Sequence, residues 1–179
     1  MSKNLLVSFS GGETSAFMTK WLSYNYKKYN YKNIVCVFAN TGLENEQTLE
    51  FVDKCEKNFG IKIYWIEAKT IFEYRKGTEY ILTDYINASR EGEPFENMIK
   101  KYGIPNQANP QCTRELKAIP IYKFGKDYFN NEKYDTAIGI RIDEADRISA
   151  NYKERRFIYP LIFKDMNPTT KPKINDYLL

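Results

Sequence analysis

The sequence predicts an α/β fold in which an open, mainly parallel sheet carries helices on both faces. Three observations lead there. Short, nearly continuous apolar runs recur at residues 5–9 (LLVSF), 34–38 (IVCVF) and 61–66 (IKIYWI), as strands buried on both faces of a parallel sheet require. Two stretches of helical periodicity separate them. A length of 179 residues suits one domain over 1–179 rather than two independent cores.

The elements follow in order. After the first run, Phe17 and Trp21, and Met18 and Leu22, stand four residues apart, so a helix with one apolar face joins strand one to strand two. After the second run, Thr48, Val52, Cys55 and Phe59 share a helical face, with Leu49 and Phe51 beside it. The order is β-α-β-α-β, and right-handed crossovers then place the first two strand ends side by side. Residues 134–140 (YDTAIGI) read as a fourth strand. Between them, residues 67–110 are less regular: a helix over 78–88 with Tyr80, Ile81 and Tyr85 inward, a second over 95–102, and a polar stretch at 89–94 between them. This region is expected to form a lid-like insertion over the sheet's end. Residues 170–179 open with helix-start chemistry and finish on Leu178 and Leu179 without a stop signal. The element reads as cut in mid-course, so the natural chain is expected to be longer, or this helix to dock on a second copy or a partner subunit.

Composition narrows the function classes. Hydrophobic residues at 42% and aromatics at 16% exclude a disordered chain. Lys and Arg number 27 against 23 Asp and Glu, and a charge of +4 is too mild to argue nucleic-acid binding alone. The basic-aromatic patch at 26–31 (YKKYNY) has stacking chemistry but reads first as the solvated end of helix one. No apolar run approaches the roughly 18 residues of a membrane helix, and the start shows no signal-peptide pattern, so a cytoplasmic protein is expected. Histidine is absent, which excludes Ser-His-Asp and Cys-His catalysis and His-ligated metals. The three cysteines include no close pair, so neither a disulfide framework nor a zinc ribbon is encoded.

The sharpest local feature is Ser8-Phe9-Ser10-Gly11-Gly12-Glu13-Thr14-Ser15, where strand one gives way to its helix. Two glycines let the backbone turn tightly, and the free amides and hydroxyls of a first helical turn make an anion site. It is neither Walker A nor G-x-G-x-x-G. A plain Gly-Gly turn with Ser or Thr capping the helix fits the same letters. At the end of strand two, Phe38, Asn40, Thr41 and Gly42 adjoin this loop, at the place where open α/β sheets bind ligands; helix capping through Asn45 is the plainer reading. Arg141 and Arg147 follow the fourth strand, and guanidinium forks suit phosphate or sulfate oxygens. Asp143, Glu144 and Asp146 between them either hold Mg²⁺ or, as favoured here, pair with the arginines. Arg114 and Lys117 share a helical face. Cys36 and Cys55 lie on inward positions and read as inert core; Cys112, at a helix entry beside Arg114, reads as a reactive thiol, a single cluster ligand, or an ordinary helix-entry cysteine.

Four segments together resemble a known family. SFSGGETSA resembles the pyrophosphate-loop (PP-loop) signature of the adenine nucleotide α-hydrolase-like superfamily. The segments from Asn40 to Glu44 with Thr48, from Cys112 to Pro120, and from Gly139 to Arg147 are similar, in order, to elements of its phosphoadenosine phosphosulfate (PAPS) reductase branch. The resemblance implies a Rossmann-like fold with ATP, PAPS or adenosine phosphosulfate (APS) as ligand. In it, Ser10, Gly11, Gly12, Glu13, Thr14 and Ser15 hold the phosphates, and Phe9, Phe38, Asn40, Thr41 and Gly42 meet base and ribose. Arg114 and Arg147 contact the anion, and Cys112, Lys117 and Arg141 are the catalytic candidates. The sequence departs from the branch by lacking its C-terminal E-C-G-[LI]-H thiol and paired cysteines, and an iron-sulfur cluster is not supported by this chain alone. Two activities stay open: sulfonucleotide reduction with a thiol reductant, and ATP α-β cleavage with adenylation of an acceptor, a nucleic acid among them. The alternative is a non-catalytic nucleotide-binding subunit of a DNA or RNA thiolation complex.

Overall fold

The computed structural model describes residues 3–106 and 110–178. Its first half runs β1 (Lys3–Phe9), α1 (Glu13–Asn25), a 3-10 turn (Tyr26–Tyr29), β2 (Tyr31–Asn40), α2 (Glu46–Phe59), β3 (Ile63–Thr70) and β4 (Thr78–Thr83). Then follow α3 (Glu93–Tyr102), α4 (Gln111–Thr113), a π-helical turn (Arg114–Ala118), α5 (Ile119–Tyr128), β5 (Tyr134–Ile138), a 3-10 turn (Ile142–Arg147), β6 (Phe157–Ile158) and α6 (Lys171–Leu178).

These strands form one sheet in the order β4-β3-β2-β1-β5-β6, parallel throughout except for the β3–β4 pair. The chain steps from β1 through β3 in one direction and returns with β5 on the other flank of β1. The strand order therefore reverses at the β1–β5 pair, whose carboxyl ends must part to send their loops opposite ways.

Apolar alternation within the strands builds two cores. Leu5, Val7 and Phe9 face Phe17, Met18 and Leu22 of α1 and Leu49 and Val52 of α2, and Ile174 of α6 joins them. Leu6, Val35, Val37, Ala39 and Ile66 face the other way, against Phe124 and Phe129. Each such fully buried side chain contributes about 1.5–3 kcal/mol. The expected helical stripes are thus in place, and α2 is capped by Asn45, whose side chain accepts from Gln47 N at 3.0 Å. Pro120 has no amide to donate back to Leu116, and the helical ladder widens into the π turn just ahead of it.

One element differs from the sequence reading. Residues 78–88 do not form a helix: Thr78–Thr83 is β4, paired antiparallel with β3 from Thr70↔Thr78 to Trp65↔Thr83. The open edge of β3 supplies backbone partners, and Thr, Tyr and Ile favour the strand. Ile81 is consequently 44% exposed rather than inward, while Tyr80 packs on Phe124 at 5.7 Å and Tyr85 on Trp65 at 6.1 Å. Within the 67–110 region the end of β3 and all of β4 are therefore sheet, and α3 brings Met98 against Ala68 and Leu116 in a third small core. Leu179 and the side chains of Tyr177 and Leu178, where the sequence places an open helix end, lie outside the described residues. Among the described residues no helix is long and apolar enough to cross a membrane.

Candidate functional site

The first lip of the β1–β5 crevice is the loop after Phe9. Gly11 has φ +80°, and a Cβ there would stand 2.6 Å from Thr48 Cγ2, so α2 and the backbone both demand glycine. Gly12 is extended (φ −103°, ψ 162°), exposed, and gives α1 no side-chain cap. Among the described residues no side chain caps the first-turn amides of α1, which leaves their donors open. Ser15, buried, holds the loop in shape: its Oγ donates to Gly12 O at 2.8 Å and lies 3.1 Å from Ser10 N and 3.0 Å from Ser10 Oγ, both of which donate to it. The serines lock the loop onto itself instead of capping the helix.

The second lip follows β5. A Cβ on Gly139 would lie 3.2 Å from Ser15 Cα, so the absence of a side chain lets this strand exit close against the first turn of α1. Two residues on, Arg141 donates from Nη1 to Thr14 Oγ1 at 2.8 Å and from Nε and Nη2 to the Asp143 carboxylate at 3.0 and 3.1 Å. Glu144 is 3.3 Å from the same Nη1 and accepts from Arg147 Nη1 at 2.7 Å. The bond to Asp143, with Glu144 nearby, raises the Arg141 pKa, and Arg141 in turn lowers that of Asp143. Asp143 and Glu144 are thus engaged by arginines. Arg147 is further out, its side chain 62% exposed.

The ends of β1 and β2 form the floor beside these lips. Phe9 and Phe38 are register partners with buried, edge-on rings 6.4 Å apart. Asn40 is fully buried, and its side chain bonds within the fold: its amide donates to Glu67 Oε1 at 2.7 Å and Ser89 O at 2.9 Å, while its Oδ1 accepts from Gly42 N at 3.2 Å. Glu67 also accepts from Ser89 N and Oγ, at 2.6 and 2.8 Å. Gly42 (φ +82°) leaves no room for a Cβ, which would fall 2.7 Å from Pro94 Cδ. Thr41 donates to Glu44 Oε1 at 3.1 Å, and Lys117 Nζ reaches the same oxygen at 3.3 Å.

Arg114 and Lys117 stand on the π turn and face a cavity that Ser8 and Ile138 also line. Cys112, at the helix entry, is half-buried and packs against the apolar cluster of Ala68, Met98 and Leu116. Burial pushes the Cys36 thiol up to about 12 and Cys55 to about 11, as core thiols should be. Among the described residues no three His, Cys, Asp or Glu side chains converge as a metal site. Three contributors were not assigned a role from sequence: Gly139, Glu67 and Ser89. Gly139 opened one of the segments quoted for the resemblance, and Glu67 carried a local signal as a carboxylate directly after the apolar run of a strand.

Comparison with known proteins gives the family. The family model for the phosphoadenosine phosphosulfate reductase domain matches residues 4–156. The chain is 35% identical over 146 residues to the uncharacterized nin region protein ORF290 of Escherichia phage lambda, covering 80% of this chain and 50% of that one. It is 30% identical over 141 residues to the uncharacterized protein MJ0066 of Methanocaldococcus jannaschii, covering 79% of this chain and 23% of the relative. The chain thus spans half or less of the length of these relatives. With 153 consecutive residues under the family model and the glycine loop on the lip of a parallel-sheet crevice, the chain belongs to the phosphoadenosine phosphosulfate reductase domain family of the adenine nucleotide α-hydrolase-like superfamily.

Proposed function

We propose that the chain binds an adenine nucleotide, ATP or a sulfated adenosine, in the β1–β5 crevice and acts at its phosphate or sulfate ester. The observation that carries this reading is the uncapped start of α1 with the Arg141 guanidinium tied to Thr14 in that same first turn. Amides and guanidinium would then converge on one anion, and both would stabilise charge building on a leaving pyrophosphate or sulfonyl oxygen. Arg147 would extend this positive rim outward. Asp143 and Glu144 already face arginines, so Mg²⁺ would be held by the nucleotide's phosphates rather than by these carboxylates.

The apolar seat of Cys112 favours ATP α-β cleavage with adenylation over thiol-dependent reduction. The same observation supports the second reading, a nucleotide-binding subunit of a DNA or RNA thiolation complex that leaves the chemistry to another chain. Thermal melting with ATP, AMP, APS and PAPS tests the binding. A ligand at one hundred times its Kd adds about 2.7 kcal/mol, which raises the melting temperature of a domain this size by about 5–10 °C. No shift with any of the four overturns the proposal. Pyrophosphate release from ATP against sulfite release from the sulfonucleotides then separates the two activities, and binding without either product selects the second reading.

A further inference from the structure

α5 covers only part of the second face of the sheet. Between it and the β5–β6 edge lies an open groove of about 800 Å³. Ser8, Thr136, Ile138 and Phe157 line it from the sheet. Six cations stand around it against two exposed carboxylates, Glu132 and Glu154. Lys117 is engaged by Glu44 and Arg156 by Asp135, and Arg114 lies 3.6 Å from Glu115. Lys126, Lys133 and Arg155 have no carboxylate partner among the described residues. Two of these free cations lie over aromatic rings on the groove's rim: Lys126 Nζ is 5.8 Å from the Tyr122 centroid, and Arg155 Cζ is 5.7 Å from that of Phe157. Tyr122 is 58% exposed.

A parallel sheet normally buries both faces, which would call for a second helix here. Here the floor is mainly apolar, with Ile138 and Phe157 on the strands and Ile121 on α5, broken by the hydroxyls of Ser8 and Thr136. The surface combines positive charge without carboxylate partners, ring faces and this apolar floor, which together suit a flexible polyanion with stacking bases. We infer that this groove binds a single-stranded nucleic acid, with phosphates on Lys126, Lys133 and Arg155 and bases on Tyr122 and Phe157. Ser8 and Ile138 precede the two lips of the crevice by two and one residues, so one end of the groove opens beside the candidate nucleotide site. The inference stands on the groove alone and goes beyond the nucleotide reading.

Fluorescence anisotropy with labelled oligo-dT and oligo-U strands at low salt tests it. Binding to at least one strand is expected, falling with salt with a log–log slope of about −2 for three phosphate contacts at about −0.7 each. Lys126→Glu combined with Arg155→Glu should weaken binding at least ten-fold with the melting temperature held. Tyr122→Ala should weaken it at least five-fold, which keeps the idea testable if the charge reversals unfold the chain. Lys54→Glu with Lys57→Glu, on α2 against the opposite face of the sheet, should leave binding unchanged. The inference is overturned if neither strand binds, if the groove variants bind like wild type, or if the α2 pair costs as much as the groove pair. It is also overturned if polyglutamate displaces the strand as well as unlabelled oligonucleotide does, which would assign the groove to an acidic protein segment. ATP-induced stabilisation of the same proteins is read separately, so failure of the crevice and failure of the groove are distinguishable.

Discussion

Arg141 donates to the Thr14 hydroxyl at 2.8 Å, joining residues 127 positions apart across the gap between β5 and α1. Its charge is thereby fixed next to the free amides of a helix start. Replacing Arg141 by Ala removes a charge-assisted contact worth about 1.5–3 kcal/mol, so nucleotide affinity by calorimetry is expected to fall about ten- to hundred-fold. Arg141→Lys should recover only part of it, because an ammonium cannot bond Thr14, Asp143 and the ligand in one plane.

Gly11 and Gly12 are adjacent but do different work. Ala at Gly11 meets both a φ of +80° and Thr48 Cγ2 at 2.6 Å, so Gly11→Ala is expected to lower stability by about 1–3 kcal/mol and the melting temperature by several degrees. Gly12 has extended backbone and only Ser10 Oγ within 4 Å, at 3.9 Å. Gly12→Ala should melt like wild type yet weaken nucleotide binding, since its methyl intrudes on the approach to the amides. If both variants melt normally and bind normally, the loop is no ligand site.

The Asn40–Glu67 contact is a buried amide against a buried carboxylate at 2.7 Å. Asn40→Asp turns it into two carboxylates in contact, which cannot both ionise. A loss of about 3–5 kcal/mol at neutral pH is expected. The pair would hold a shared proton more tightly folded than unfolded, so the deficit should shrink as pH falls. Urea melts at several pH values check both the size and the sign.

The thiols should separate by accessibility. At pH 8 only Cys112 is expected to react promptly with an aromatic disulfide reagent, and Cys36 and Cys55 only after unfolding, because burial keeps their thiols at about 12 and 11. The same shifts predict alkaline sensitivity. A group whose pKa is raised by folding contributes stability in full below its ordinary value, near 9 here, and loses it as pH rises through the folded value. Folded-state stability should therefore decline between about pH 9 and 12, less steeply in Cys55→Ala.

Much of this architecture was legible because periodicity in the apolar residues depends on burial, which local letters record. The strands around Val7, Val35 and Trp65 and the faces bearing Met18 and Val52 are of this kind. β4 was not legible: Tyr80, Ile81 and Tyr85 fit a helical spacing as well as a strand, and the vacant edge of β3 decided between them. At the site, the glycine loop and Arg141 could be read from type and position. The commitment of Asn40 to Glu67 and Ser89 could not, since its partners lie 27 and 49 residues away. The surroundings of Cys112 could not be read either, because its sequence neighbours include Arg114 while its spatial neighbours, Met98 and Leu116, are apolar.

The return of β5 to the flank of β1 also sets when the crevice can exist. One lip is made within the first fifteen residues, and the other arrives only with Gly139 and Arg141. A nascent chain halted anywhere before β5 has the glycine loop but nothing opposite it. Ligand capture during synthesis would thus wait until β5 has been made, and the long wait leaves an unmatched β1 margin for chaperones to shield.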